Sequence, residues 1–168
     1  RTSIYNTGTI IYQKVNDWAK EPDFIESGIT KKDLLAEAVG MIQSFLALYP
    51  NHPVADEAGY TLINLWLDQK NYDNVVTLAE SFAQRYPKSQ FLDSYDYLAA
   101  YAYFQMEQYT DALRMAKKVA QEKYPTASGG MKISEDVIIA ILMSGKILHA
   151  AGKLNQAVEE YEKVKESF

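Results

Sequence analysis

A tyrosine–proline pair occurs three times in this chain, as Tyr49-Pro50, Tyr86-Pro87 and Tyr124-Pro125. Successive pairs lie 37 and 38 residues apart. Before each pair, apolar residues recur three and four positions apart, which is typical of an amphipathic helix. Proline ends such a helix because it lacks an amide hydrogen and disfavours helical geometry in the residue before it. A period of this length accommodates two helices, so the sequence predicts an array of helix pairs.

The second helix of each predicted pair has the same apolar spacing. Four units align on their first apolar residues, which are Leu35, Tyr72, Tyr109 and Leu154. Small or medium residues follow three positions later, at Ala38, Val75, Ala112 and Ala157. Ten positions after the first residue come Phe45, Phe82, Val119 and Val164. Because these offsets lie on one helix face, they predict eight helices in four antiparallel pairs. The units of this single all-α domain are expected at about 3–50, 51–87, 88–125 and 133–168.

The first helix of each pair is expected at 3–19, 55–69, 92–107 and 134–151. Ser134 is predicted to cap the last of these helices at its start, and Gly152 to end it. The segments 21–30 and 125–133 contain proline and glycine and are predicted to be long connections. No alternating pattern is long enough to predict a strand.

Composition limits the function classes. The chain has 168 residues, 48% of them hydrophobic, which indicates a folded domain. Its longest apolar run is Val137 to Met143, too short to span a membrane. The net charge of −5 argues against nucleic-acid binding, and the absence of cysteine excludes disulfides and thiolate chemistry. Because the chain begins at Arg1, we interpret it as a fragment of a longer protein.

No catalytic, metal or cofactor motif is present in the sequence. His52 and His149 have no partner at metal-ligand spacing. Adjacent carboxylates at Asp56-Glu57 and Glu135-Asp136 fall in predicted first turns, where the helix dipole favours negative charge. We therefore expect neither enzyme activity nor a bound cofactor or metal ion.

The spacing resembles that of the tetratricopeptide repeat (TPR) family. The last unit places Gly145, Gly152, Ala157 and Tyr161 where that motif prefers two glycines, an alanine and a large aromatic residue. The resemblance implies a right-handed superhelix of stacked antiparallel helix pairs. The period and the phrases "YPNHPVADEAGYTL" and "YPKSQFLDSYDYLA" are similar to the subgroup found in bacterial outer-membrane assembly lipoproteins and Tol-system periplasmic proteins. This implies the cell envelope or periplasm, with the cytoplasm left open.

In such an array the first helices line a concave groove, which is where a partner is expected to bind. Ten residues are predicted to form this partner-binding groove: Glu57, Tyr60, Asn64, Leu67, Asp68, Tyr97, Tyr101, Phe104, Lys146 and His149. Ile139 and Leu142 share the helix face of Lys146. The alternative is that the aromatic rings only pack between neighbouring first helices.

The middle of the chain is acidic. Residues 51–110 contain three lysines or arginines against eight aspartates or glutamates. A protein or peptide that is neutral to basic, with apolar anchors, is the expected partner. Asn64 stands where the resembled family often uses asparagine to hold a peptide backbone. Two alternatives stay open: a self-assembling module or homo-oligomer that stacks through its ends near Phe168, and an accessory domain of a larger enzyme.

Overall fold

A computed structural model describes residues 2–166 of the chain. This range forms nine α-helices and one two-stranded antiparallel sheet. The elements in chain order are α1 Ser3–Trp18, α2 Pro22–Glu26, α3 Lys31–Leu48, α4 Ala55–Asp68, α5 Tyr72–Arg85, α6 Leu92–Gln105, α7 Tyr109–Gln121, β1 Lys123–Pro125, β2 Met131–Ile133, α8 Val137–Ala150 and α9 Leu154–Glu166. The chain divides into two compact units, one ending at Gln69 and one beginning at Lys70.

The first unit packs α1 and α4 against α3. Its core centres on Phe45, which is fully buried, and the Tyr5 ring stacks on Phe45 at 5.3 Å between centroids. A glycine permits the close approach of α1 to α3. A Cβ built on Gly8 would lie 3.1 Å from Ile42 Cγ1 and 3.3 Å from the Ala38 carbonyl oxygen.

The second unit packs each of its helices, from α5 to α9, against the next one in the chain. Five of the residues that share the register of Phe45 and Ala38 are buried here as well, namely Val75, Phe82, Ala112, Val119 and Ala157, whereas Val164 is half-buried. Gly145 on α8 faces the Tyr161 ring on α9, and a Cβ at Gly145 would lie 2.7 Å from two ring atoms. The predicted pairing of α6 with α7 and of α8 with α9 is therefore confirmed.

Two elements differ from the sequence prediction. The segment 21–30 contains the short helix α2, which begins at Pro22, a favourable first position for proline. The prediction of no strand is wrong, because β1 and β2 form a hairpin in which Tyr124 pairs with Lys132. Strands of three residues are too short for an alternating pattern to be visible. Gly129, with φ of +91°, lies in the turn between them.

The prediction that Ser134 caps α8 is also wrong. The helix begins at Val137, with Asp136 as the flanking residue. Ser134 Oγ instead accepts a hydrogen bond from the Asp136 amide at 3.0 Å and donates to Asp93 Oδ2 at 2.7 Å. Ser134 thus ties the start of α8 to the start of α6.

Gly152 ends α8 as predicted, with φ of +79°. Lys70 and Glu107 occupy the same register position in the two preceding sequence repeats. They also have positive φ, of 56° and 59°. A residue with a Cβ is strained in this conformation, whereas glycine is not.

Glu107→Gly is therefore expected to raise the free energy of unfolding by about 0.5–1 kcal/mol, because relief of strain exceeds the added chain entropy. Glu107→Ala removes the same charge without relieving φ, and it should leave the stability nearly unchanged. Urea denaturation of both variants checks this. Equal stability changes in the two variants would contradict the assignment of strain to Glu107.

A buried carboxylate anchors the hairpin to the helices of the second unit. Asp96 on α6 is 2% exposed, and its Oδ2 accepts a hydrogen bond from the Tyr124 hydroxyl at 2.8 Å. Lys118 Nζ lies 3.2 Å from the same oxygen. Burial raises the pKa of the Asp96 carboxyl above its ordinary value of 3.8, although Tyr124 and Lys118 both act to lower it.

This raised pKa has a consequence for stability. From pH 3.8 upward to the folded-state pKa of Asp96, the folded chain retains a proton that the unfolded chain has lost. The contribution of Asp96 to the free energy of unfolding therefore falls as pH rises through this window. The Asp96→Asn variant lacks this titrating group, so its unfolding free energy does not contain the same fall. The unfolding free energy of the variant minus that of the wild type should therefore increase as pH rises. Denaturation measured in steps across the window checks this, and a constant difference would contradict it.

Within residues 2–166, no helix is both long enough and apolar enough to cross a membrane.

Candidate functional site

Three half-buried aromatic residues form a stripe along α6. Tyr97, Tyr101 and Phe104 are spaced four and three residues apart and so share one helix face. Five of the seven buried residues of this helix lie between Tyr97 and Phe104, namely Leu98, Ala99, Ala100, Ala102 and Tyr103. Helix α6 thus contributes to the core on one side and presents partly accessible rings on the other.

Helix α8 is apolar around most of its circumference, yet one of its faces is accessible to solvent. Ile139 and Leu142 are 43% and 42% exposed, and Lys146 and His149 continue the same stripe as exposed residues. Lys146 Nζ lies 5.5 Å from the centroid of the Phe104 ring, in cation–π geometry. This contact brings the two stripes together. We call the surface formed by Tyr97, Tyr101, Phe104, Ile139, Leu142, Lys146 and His149 the α6–α8 face.

Two of the α6 rings also contact the helices on either side in the chain, α5 and α7, which are the second helices of their repeats. Tyr101 packs edge-on against Tyr72 with centroids 6.4 Å apart, and Phe104 lies 6.0 Å from Tyr109. Tyr72 and Tyr109 are the opening residues of the repeat register. These two contacts are with second helices and not between neighbouring first helices, and both α6 rings retain exposed surface.

The α6–α8 face has opposite charges at its two ends. Asp93 and Asp136 lie beside the beginning of α6 and α8, where Ser134 joins the two helices. Burial raises the pKa of Asp136 above its usual value, and the neighbouring carboxylates of Asp93 and Glu135 raise it further. Lys146, and His149 in the last turn of α8, lie at the other end.

The pKa of Tyr97 reflects the acidic end of the face. Burial of the hydroxyl raises this pKa above its ordinary value of 10.0, and the negative charge of Asp136 adds to the effect. The Tyr97 hydroxyl is therefore a neutral hydrogen-bonding group throughout the physiological range. Among the described residues, no cluster of three histidine, aspartate or glutamate side chains is arranged to hold a metal ion.

The other five predicted site residues lie on α4, in the first unit. Glu57 and Asp68 are exposed, whereas Tyr60, Asn64 and Leu67 are half-buried. The Asn64 side-chain amide donates to the Tyr60 carbonyl oxygen at 3.0 Å, one turn earlier in the same helix. This bond leaves the Asn64 carbonyl oxygen to accept from a ligand and uses one of its two amide hydrogens.

Asp68 has a partner that the sequence did not identify. Its Oδ2 accepts a hydrogen bond from the Tyr12 hydroxyl of α1 at 2.8 Å. Burial and this bond together raise the pKa of Tyr12. The two residues are 56 positions apart, so no local pattern could have predicted the contact.

Of the ten predicted site residues, the structure brings Phe104 and Lys146 into direct contact, and it links Asn64 to the backbone of Tyr60. Sequence reasoning missed the acidic residues at the end of the α6–α8 face. The sequence pattern assigns Asp136 to the start of a helix and gives Asp93 no role. The available signal was that both begin predicted first helices, which stack side by side in a repeat array.

No family model and no curated protein matches this sequence. Solved structures do resemble it. One is MamA, residues 41 to the end, from Desulfovibrio magneticus RS-1, with 20% identity and a TM-score of 0.61 over 97% of this chain and 92% of that chain. Another comprises the nearly identical TPR-like repeats of a protein designated a kinesin light chain of Podosopora anserina. It has 14% identity and a TM-score of 0.66, over 97% of this chain and 74% of that chain. These likenesses show that the chain has an all-α, TPR-like helical-repeat fold.

Proposed function

We propose that this chain is a non-catalytic interaction scaffold whose α6–α8 face binds an extended or helical segment of another protein. The observation that supports this most is the exposure of Ile139 and Leu142 beside the half-buried rings of α6. Exposed apolar residues that form a contiguous patch, rimmed by polar groups, are typical of interaction sites. A TPR-like fold by itself is compatible with many functions, so the proposal depends on this surface.

The energetics of the face favour a protein ligand. Aromatic side chains at an interface contribute large contact area at little cost in rotamer entropy. A ring that becomes desolvated at the centre of an interface can contribute about 2 kcal/mol or more. Tyr101 and Phe104 are already held by Tyr72 and Tyr109, so little of their freedom remains to be lost on binding.

The opposite charges at the two ends of the α6–α8 face favour one orientation of the bound segment. Asp93 and Asp136 attract a basic residue of the bound segment, and Lys146 attracts a carboxylate or a chain carboxyl end at the opposite end. The apolar centre between them accommodates aliphatic or aromatic anchors. The proposed partner is therefore a neutral to basic protein segment with apolar anchors, and its association rate should fall as salt is added.

For α4 we propose a separate peptide contact that uses the Asn64 carbonyl oxygen and the exposed carboxylate of Glu57. The exposure of Glu57 and the free acceptor on Asn64 support it. Asn64→Ala removes the acceptor and should weaken binding at this position only.

Site-specific photo-crosslinking in the producing cell tests the proposal. A benzophenone amino acid is placed at Leu142 and, as a matched control, at Ile25 on α2, which is 66% exposed but lies in the other unit. A specific protein adduct is expected from position 142 and not from position 25, and Ile139→Ser should abolish it. Equal adducts from both positions, or an adduct that Ile139→Ser leaves intact, would reject the α6–α8 face as the binding surface.

Self-assembly is a second candidate function, and α9 provides the observation that favours it. Leu154, Val158 and Tyr161 are 57%, 54% and 38% exposed and share one helix face. This stripe could pack against a second copy of the chain. Light scattering across the micromolar range should then show a dimer that Val158→Asp dissociates, whereas a monomer at all concentrations would reject self-assembly. The predicted contact at Phe168 lies outside the described residues.

We also propose a bacterial cell-envelope location, on the basis of the Tyr-Pro phrases of the repeats. Fractionation of the producing cell with an antibody against the chain tests it, and recovery in the cytoplasmic fraction would reject it.

A further inference from the structure

A cleft of about 420 Å³ lies in the second unit, away from the residues of the α6–α8 face. The β1–β2 hairpin forms one wall, and the segment from Pro87 to Leu92 at the beginning of α6 forms the other. The end of α7, with Lys118 and Glu122, borders the cleft. The cleft is not predictable from the sequence, because the local pattern predicts an irregular connection where the hairpin forms.

The pairing of the hairpin determines which side chains reach the cleft. Tyr124 is buried and forms part of the floor of the cleft, whereas the residues on either side of it in β1, Lys123 and Pro125, lie on the other face of the strand and line the cleft as well. Met131 pairs with Pro125 and therefore shares its face. Met131 is 61% exposed and, with Leu92 across the cleft, provides apolar surface that an elongated ligand can cover.

The cleft is basic although the chain is acidic. Three lysines and one glutamate, namely Lys88, Lys118, Lys123 and Glu122, line it in a chain of net charge −5. Within residues 2–166, neither Lys88 nor Lys123 has an ion-pair partner. Lys118 is held in place by the buried Asp96, which engages one of the three donors of its ammonium group. Two free cations and one fixed cation thus surround apolar walls.

We infer that this cleft binds an acidic, extended peptide segment of a partner protein. Carboxylates of the segment pair with Lys88 and Lys123, and an apolar side chain of the segment packs between Leu92 and Met131. Nucleic acid is the less suitable polyanion, because Glu122 and the net negative charge of the chain repel a phosphate backbone that offers no apolar anchor. The inference does not depend on the proposed function, since the α6–α8 face and the cleft consist of different residues.

The test uses the full chain and two fluorescein-labelled peptides of equal length, one alternating glutamate with leucine and one alternating glutamine with leucine. Fluorescence anisotropy measures their binding to the wild type and to Lys88→Glu/Lys123→Glu. The matched control is Lys31→Glu/Lys32→Glu, which changes the total charge equally at exposed residues of α3. All the lysines replaced are exposed, so both double variants are expected to keep the helical circular dichroism of the wild type.

The glutamate peptide should bind the wild type at least about tenfold more tightly than the glutamine peptide does. The cleft variant should lose at least about tenfold in affinity for it, and the control less than about twofold. Met131→Ser should weaken binding by about threefold at every salt concentration, because the contact it removes is apolar. Failure of the glutamate peptide to bind the wild type, or equal loss in both double variants, would overturn the inference. Tighter binding of a DNA oligonucleotide of equal charge would overturn it as well.

Discussion

Phe45→Ala is expected to lower the free energy of unfolding by about 3–5 kcal/mol. The Phe45 ring is fully buried, and it contacts the rings of Tyr5, Tyr49 and His52 at centroid distances of 5.3, 5.8 and 5.4 Å. Removing it leaves a cavity whose aromatic walls cannot collapse without moving α1 or the end of α3. The loss is measured as a shift of the guanidinium denaturation curve, followed by circular dichroism.

Leu48→Ala is the matched control for this prediction. Leu48 lies one turn further along α3, but it is 62% exposed, so its truncation should change the stability by less than about 0.5 kcal/mol. If both variants lost similar stability, or if Phe45→Ala lost less than about 1 kcal/mol, the core of the first unit would not be centred on Phe45.

Ala38→Leu should lower the free energy of unfolding by about 1–3 kcal/mol, because the added side chain has no space to occupy. Ala38 is fully buried, and its carbonyl oxygen would lie 3.3 Å from a Cβ built on Gly8. Helices α1 and α3 thus approach each other closely at this position. A larger side chain has to push α1 away or adopt a strained rotamer.

Ala36→Leu, on the same helix, is the control. Ala36 is exposed, and leucine and alanine are both good helix formers, so the variant should match the wild type within about 0.5 kcal/mol. The register also predicts that Ala112→Leu and Ala157→Leu destabilise the second unit by a similar amount, since both alanines are buried. Unchanged denaturation midpoints for all three buried alanines would show that the repeat register is wrong.

The helical repeat was predictable from the sequence because its information is local. Residues three and ten positions after the first apolar residue of a second helix lie on one face, and Ala38, Phe45, Ala112 and Val119 are buried as these offsets require. The hairpin was not predictable in this way. Its two three-residue strands pair with each other, and the hydrogen bond from Tyr124 to Asp96, 28 residues away in sequence, ties β1 to α6.

The same difference between local and long-range contacts determines which parts of the candidate site were predictable. The stripe of Tyr97, Tyr101 and Phe104 lies on a single helix and follows from spacing alone. The acidic end of the face does not, because it requires Ser134 to reach Asp93 over 41 residues of sequence. The partial burial that raises the pKa of Asp136 likewise depends on tertiary packing and cannot be recognised from the local sequence pattern.

The most direct test of the central claim is the affinity of the partner captured at position 142, measured by titration calorimetry. Ile139→Ser/Leu142→Ser removes the exposed apolar centre of the α6–α8 face, and Ile25→Ser/Ile29→Ser removes two isoleucines outside it that are more exposed. We predict at least a tenfold loss of affinity for the first variant, equivalent to about 1.4 kcal/mol, and no change for the second. Both should keep the helical content of the wild type. An affinity that is the same for the wild type and the face variant would contradict the claim that this face binds the partner.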